Sequence, residues 1–193
     1  APNKRIDHAL RAVAELARRG VEARLTVIGD GMEAARLRQL AEEQGASARV
    51  RFLGYQPESV KARELEEAHA LLHTSMREGW GLNVVEANAM GTPAVVYPVG
   101  GLVDSTLDRV TGVVCDAETP GAMAGAIEWL KVDPARYERV RMAAWKRAFQ
   151  YRWSAVTNYT FDRGMLKNFN VGGAIRWEDK GSIGFYGAAP STL

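Results

Sequence analysis

Apolar residues over the first 150 positions fall into two alternating rhythms. Ile6, Leu10, Val13 and Leu16 recur three and four apart, the spacing of one helix face, with Asn3 placed as an N-cap and Gly20 closing the run. Residues 23–28 (Ala-Arg-Leu-Thr-Val-Ile) then form a short β-branched run that ends in Gly29-Asp30-Gly31. The exchange repeats: helix over 33–43, strand over 49–53, helix over 60–67, strand over 68–73, helix over 82–90 and strand over 94–97. A short helical piece near 103–108 and a strand over 112–115 follow, then helices over 120–131 and 134–149, the first with Thr119 as cap and Pro120 at its first position. Strands alternating with helices predict an α/β domain, a parallel sheet with helices on both faces. Ligands on such sheets bind at the carboxyl ends of the strands, where each glycine-rich turn of this chain falls.

Near residue 151 the rhythm changes to period two. Trp153, Ala155, Thr157, Tyr159 and Phe161 alternate with polar or small residues, and after Asp162-Arg163-Gly164 the pattern resumes at Phe169, Val171, Gly173, Ile175 and Trp177. This predicts a β-hairpin-like tail over 151–193, separate from a domain over 1–150.

Composition narrows the classes. A chain of 193 residues can bury a full core, roughly 70% of its unfolded surface, and needs no staples. Its 25 Lys and Arg nearly cancel 23 Asp and Glu, so the net charge of +2 carries no nucleic-acid footprint. Cys115 is the single cysteine, which rules out an internal disulfide framework, fits a reducing compartment, and reads as a small apolar residue of Gly112-Val113-Val114-Cys115. No run approaches 18 apolar residues, and the start, Ala-Pro-Asn-Lys-Arg, has no signal-peptide core, so the chain is expected to begin inside a longer one. The basic run around Trp145-Lys146-Arg147 and Arg152 reads as a solvated helix face before a contact with anionic lipid.

The candidate chemistry concentrates in residues 78–91, Glu-Gly-Trp-Gly-Leu-Asn-Val-Val-Glu-Ala-Asn-Ala-Met-Gly. Gly79 and Gly81 allow a tight turn with exposed N–H groups, and the helix opening near Leu82 points the positive end of its dipole forward. Such a place attracts phosphate. Glu78 in the loop and Glu86 about one turn into the helix flank it, suited to accept hydrogen bonds from vicinal sugar hydroxyls. The ligand so described is a nucleotide-sugar.

This segment resembles the glutamate-x7-glutamate motif of the retaining GT-B glycosyltransferases, above all family 4. The likeness runs on through Gly91-Thr92-Pro93-Ala94-Val95-Val96, 19 consecutive residues from Glu78 with both glutamates in register. The resemblance implies a Rossmann-like donor-binding half of a GT-B fold. It implies Glu86 on the ribose hydroxyls, Glu78 on the donor sugar, and the Gly79-Trp80-Gly81-Leu82 backbone with Lys4 on the diphosphate. Lys4 matches the lysine of a Gly-Arg-Leu-x-x-x-Lys pattern whose arginine would precede Ala1. Gly29-x-Gly31 matches the family's glycine turn lining the cleft, Phe52-Leu53-Gly54 the segment whose backbone reads the base, and Gly100-Gly101 the turn near the donor. Retention of configuration, a cytoplasmic setting that can include the inner membrane face, and a separate N-terminal domain carrying the acceptor site are implied likewise. No cofactor is implied beyond the donor itself. The chain contains no Asp-x-Asp, the metal-holding motif of GT-A transferases, so cations and dipoles are expected to compensate the leaving diphosphate.

Other readings of the same residues are weaker. Gly29-Asp30-Gly31-Met32-Glu33-Ala34 fits the dinucleotide fingerprint, but the acidic residue about 20 positions on is absent. His69 and His73 are four apart in a strand, without the glutamate of a His-Glu-x-x-His zinc site. Phe52 also suits an ordinary core aromatic. The tail resembles barrel strands of TonB-dependent outer-membrane receptors over about 35 residues, implying two unrelated coding segments joined in Arg152-Trp153-Ser154. Three rivals to a transferase remain: a nucleotide-sugar-binding module without turnover, a nucleotide-sugar epimerase of GT-B architecture, and a receptor fragment.

Overall fold

The computed structural model describes residues 2–154 and the strand segments 159–160, 170–171, 173–178 and 182–187, with side chains over 3–149. The chain divides into two compact units, Ala1–Arg147 and Ala148–Leu193.

The first unit keeps the strand and helix alternation of the sequence. Its elements are α1 (Ile6–Arg18), β1 (Leu25–Ile28), α2 (Ala34–Glu43), β2 (Val50–Gly54), α3 (Glu58–Glu67), β3 (Leu71–His73), α4 (Leu82–Ala89), β4 (Ala94–Val96), α5 (Leu102–Ser105), β5 (Gly112–Val114) and α6 (Pro120–Lys131). The last helix, α7, spans Pro134–Ser154. Every strand pairing in this unit is parallel: β1 with β2, and β4 between β3 and β5. Hydrogen bonding separates these strands into a two-stranded and a three-stranded sheet, where the sequence pattern predicts one. Helix α1 joins the two. Its Leu10 and Ala14 pack with Leu37, Leu40 and Val50, while its Ala12 and Leu16 pack with β4, Met123 and Leu130.

Strand β4 is the centre of the larger core. Ala94, Val95 and Val96 are all fully buried, and since successive strand side chains point to opposite faces, both faces are covered. Helices α4 and α6 both pack on this strand. Cys115 lies in the same cluster as an apolar residue, and burial pushes its thiol up to about 12.

Two ends differ from what the sequence pattern predicts. Asn3 does not cap α1. It lies in a 3-10 turn, Pro2–Lys4, and the helix starts after Arg5, whose backbone is left-handed at φ 44°. The segment is committed instead to the loop after β3: Asn3 Nδ2 donates to the Arg77 carbonyl at 3.1 Å, and the Asn3 carbonyl accepts from Met76 N–H at 2.9 Å. At the other end α7 continues to Ser154, so Trp153 is helical and not part of the period-two pattern. No Gly or Pro interrupts the chain between Pro134 and Ser154, so nothing in it stops the helix earlier.

Among its described residues the second unit carries two antiparallel pairs, where the sequence pattern predicts one hairpin. β6 (Tyr159–Thr160) pairs with β7 (Asn170–Val171), and β8 (Gly173–Glu178) pairs with β9 (Ser182–Gly187). Ala155, Thr157, Phe161 and Phe169, and the Asp162-Arg163-Gly164 turn, lie outside the described residues. Among the described residues no helix is long and apolar enough to cross a membrane.

Candidate functional site

The loop between β3 and α4 is the centre of the site, and its first residues are tied down by side chains. Thr74, buried just beyond the carboxyl end of β3, donates its hydroxyl to the carbonyls of Lys4 at 2.7 Å and Arg5 at 2.9 Å. Those bonds hold the left-handed turn at Arg5, and Arg5 Nη1 reaches Glu118 Oε2 at 2.7 Å. Lys4 is thereby presented to the loop that carries Glu78.

Lys4 Nζ lies 2.8 Å from Glu78 Oε2, and His73 Nε2 lies 3.4 Å from the same oxygen. Burial alone would raise the Glu78 carboxyl, but the hydrogen bond and charge of Lys4 outweigh it and hold the group below its ordinary value. His73 is only 6% exposed. Burial, reinforced by the Lys4 charge and opposed by Glu78, pushes its imidazole down to about 4. At neutral pH Glu78 is thus a carboxylate and His73 an uncharged imidazole.

Two glycines let backbone segments close around this pair. Gly81, at φ 72°, is the N-cap of α4, and a Cβ there would come within 2.8 Å of Ser105 Oγ and 2.9 Å of Leu102 Cδ2. Gly101, at φ 77°, faces the backbone of Glu78 and Gly79, where a Cβ would overlap the Glu78 carbonyl oxygen. The turn after β4 therefore packs directly on the turn after β3. Leu82 opens α4, so the helix dipole points its positive end out of the turn that Gly79, Trp80 and Gly81 form. Trp80 is 41% exposed beside it.

Glu86 lies on α4, where Lys61 of α3 pairs with it at 3.1 Å and with Glu58 at 2.7 Å. Burial works against the Lys61 charge, but the two carboxylates outweigh it and raise its proton affinity.

Of the remaining predicted residues, Gly29, Gly31 and Phe52 lie on or just after the strands of the smaller sheet. Gly29, at φ 114°, follows β1 and donates its N–H to the Gly54 carbonyl at 2.7 Å, while Gly31 N–H donates to Asp30 Oδ1 at 2.8 Å. Phe52 is half-buried on β2 against the Leu10 and Leu37 cluster, with the Arg38 guanidinium 5.4 Å from its ring centroid. Gly100 is exposed beside Gly101. Direct contacts thus bring together Lys4, Glu78, Gly79 and Gly101, with Glu86 on the helix that opens from the same turn.

Three contributors were not singled out from the sequence: His73 as a partner of Glu78, Thr74, and Lys61. The spacing of His69 and His73 suggests a pair, yet the two part company. His69 packs its ring against Tyr137 at 5.9 Å, while His73 faces Glu78. The usable signal was position, since His73 and Thr74 stand where a parallel strand ends.

Residues 1–147 match the family of glycosyl transferases group 1. The chain belongs to that family. The glycosyltransferase domain is 34% identical over 152 residues to the D-inositol 3-phosphate glycosyltransferase of Corynebacterium diphtheriae, covering 76% of this chain and 36% of that protein. It is 38% identical over 117 residues to the 2-deoxystreptamine glucosyltransferase of Streptomyces kanamyceticus, covering 61% of this chain and 30% of the relative. Among solved structures it resembles sucrose-phosphate synthase from Thermosynechococcus elongatus, with a TM-score of 0.73 at 26% identity over 80% of this chain and 40% of that one. Anabaena Alr3699/HepE in complex with UDP shares the fold, with a TM-score of 0.70 at 23% identity, over 78% of this chain and 42% of that one. The chain therefore spans 30% to 42% of the length of these proteins.

Proposed function

We propose that the first unit is the donor-binding half of a GT-B glycosyltransferase that moves a sugar from a nucleotide diphosphate to an acceptor with retention of configuration. The carrying observation is the convergence of Lys4 and Glu78 at the mouth of α4, sealed by Gly101. A diphosphate needs a cation and amide donors, and Lys4 with the positive end of α4 supplies both kinds. A hexose needs acceptors for its hydroxyls, and Glu78 is a carboxylate held ionised. Glu86 takes the ribose hydroxyls, exchanging part of its contact with Lys61 for them. As the bond to the leaving diphosphate breaks, negative charge grows on the phosphate oxygens, and Lys4 and the helix dipole stabilise it without a metal ion.

Acceptor binding, and the exclusion of water that transfer over hydrolysis requires, fall to a further domain that closes over this face. We place the reaction in the cytoplasm, consistent with a single buried free thiol at Cys115. The second unit, with its two antiparallel pairs, we read as a tail of separate origin. Limited trypsin digestion should cleave it while the first unit survives, and equal survival of the two would refute that reading.

A thermal-shift panel of UDP-, GDP- and ADP-sugars tests the function. Anabaena HepE is known in complex with UDP-glucose, which makes UDP-glucose the first donor to try. A donor at 100 times its dissociation constant should stabilise the fold by about 2.7 kcal/mol. No shift with any donor would refute the proposal. Interconversion of free nucleotide-sugars without acceptor would point to an epimerase instead.

A further inference from the structure

We propose that His73 is a positioning residue that decides which oxygen of Glu78 meets the donor sugar. The inference rests on the donor-site reading above and extends it to a side chain outside the set expected from the sequence. Lys4 Nζ and His73 Nε2 lie 2.8 Å and 3.4 Å from one oxygen of Glu78, Oε2. Lys4 donates to Oε2, the His73 ring faces the same oxygen, and the Gly79 N–H bonds the carboxylate as well, which leaves lone pairs on Glu78 for sugar hydroxyls.

The two groups that face Oε2 differ in how firmly they are held. Lys4 is 44% exposed, on a four-carbon stem, and the donor's diphosphate calls on the same ammonium. His73 closes β3, pairs in register with Val96, and its carbonyl accepts from Tyr97 N–H at 3.1 Å. Its ring is buried, so its direction is set by the core. When Lys4 turns towards a diphosphate, His73 is the partner that stays on Glu78.

The charge state suits the task. A carboxylate only accepts, so the tautomer with the proton on Nε2 is the one that suits a ring facing Glu78 Oε2 at 3.4 Å. Lys4 and Glu78 are the charged groups acting on the ring, and burial with the Lys4 charge keeps it uncharged at neutral pH. A neutral donor orients the carboxylate without cancelling its charge. A lysine or arginine in its place would pair with Glu78 outright and compete with the sugar.

Titration calorimetry on the full chain tests this, with UDP and UDP-glucose, or the GDP and ADP pairs should the wild-type chain select another base. In His73→Leu the affinity for the nucleotide-sugar should fall about tenfold while that for the bare nucleotide stays within about twofold. His73→Gln, whose amide nitrogen can reach the same oxygen, should recover most of the loss. An equal loss for nucleotide and nucleotide-sugar, or no loss for either, overturns the proposal and leaves the donor site standing. Should His73→Leu fail to fold, His73→Gln against the shorter His73→Asn decides: sugar-selective weakening in His73→Asn alone supports positioning, and equal affinities overturn it. A wild-type chain that binds none of these nucleotides overturns the donor-site reading, and this inference with it.

Discussion

Gly101 and Glu78 touch backbone to backbone. A Cβ on Gly101 would overlap the Glu78 carbonyl oxygen and lie 2.6 Å and 2.7 Å from the carbonyl carbon and oxygen of Gly79. The turn after β4 is therefore the seat on which the glutamate-bearing turn rests. Gly101→Ala combines that overlap with a left-handed φ of 77°, and should cost on the order of 2 to 4 kcal/mol. A urea denaturation with unchanged slope and a lower midpoint is the expected result. A shift below about 0.5 kcal/mol would show that the two turns can part without penalty.

Thr74→Val isolates the tie between the chain start and β3. The hydroxyl serves the Lys4 and Arg5 carbonyls, so its loss should cost about 1 to 2 kcal/mol, with Thr74→Ser close to wild type. Because Lys4 is held by this tie, Thr74→Val should also weaken nucleotide binding. Stability loss with full affinity would separate Lys4 placement from the hydroxyl.

Acidification should destabilise the fold through His73. Its folded value of about 4 lies below the ordinary 6.5. Between the two the unfolded chain takes a proton that the folded chain refuses, so stability falls as pH drops from 6.5 towards 4. The displacement corresponds to on the order of 3 kcal/mol. Glu78, held below its ordinary value, adds a loss of the same sign at lower pH. Denaturation of wild type and His73→Leu at pH 7 and pH 4.5 should show their difference shrinking at the lower pH, and a constant difference would contradict the burial argument.

Much of this was legible in the chain. The alternation of helical and strand spacing follows from which faces must be buried, and α6 begins at Pro120 under a Thr119 cap because that local chemistry is self-contained. Glu78 and Glu86 stood out since glycine turns opening a helix are local features. What escaped depends on distant partners. Asn3 carries the local mark of an N-cap, but its side chain is taken by Arg77, 74 positions away. The Lys4 to Glu78 pair spans the same separation, and the Lys61 to Glu86 pair joins two helices. The end of α7 at Ser154 was missed because period-two alternation at Trp153 overlaps a segment with no helix breaker.

Lys61 offers a further discrimination. If it only steadies Glu86, Lys61→Met should weaken donor binding by less than about tenfold, whereas Glu86→Ala should remove it. Equal effects would make Lys61 a direct ligand of the donor.

On the proposed function, the turn from Glu78 through α4 holds a nucleotide-sugar by its carboxylates and Lys4. The most direct test of this is equilibrium titration of the full chain and of Glu86→Ala with UDP-glucose and its GDP and ADP counterparts. Saturable one-to-one binding of one of these by the wild type, lost in Glu86→Ala with the fold intact, is the expected result. Undiminished binding by Glu86→Ala would contradict it.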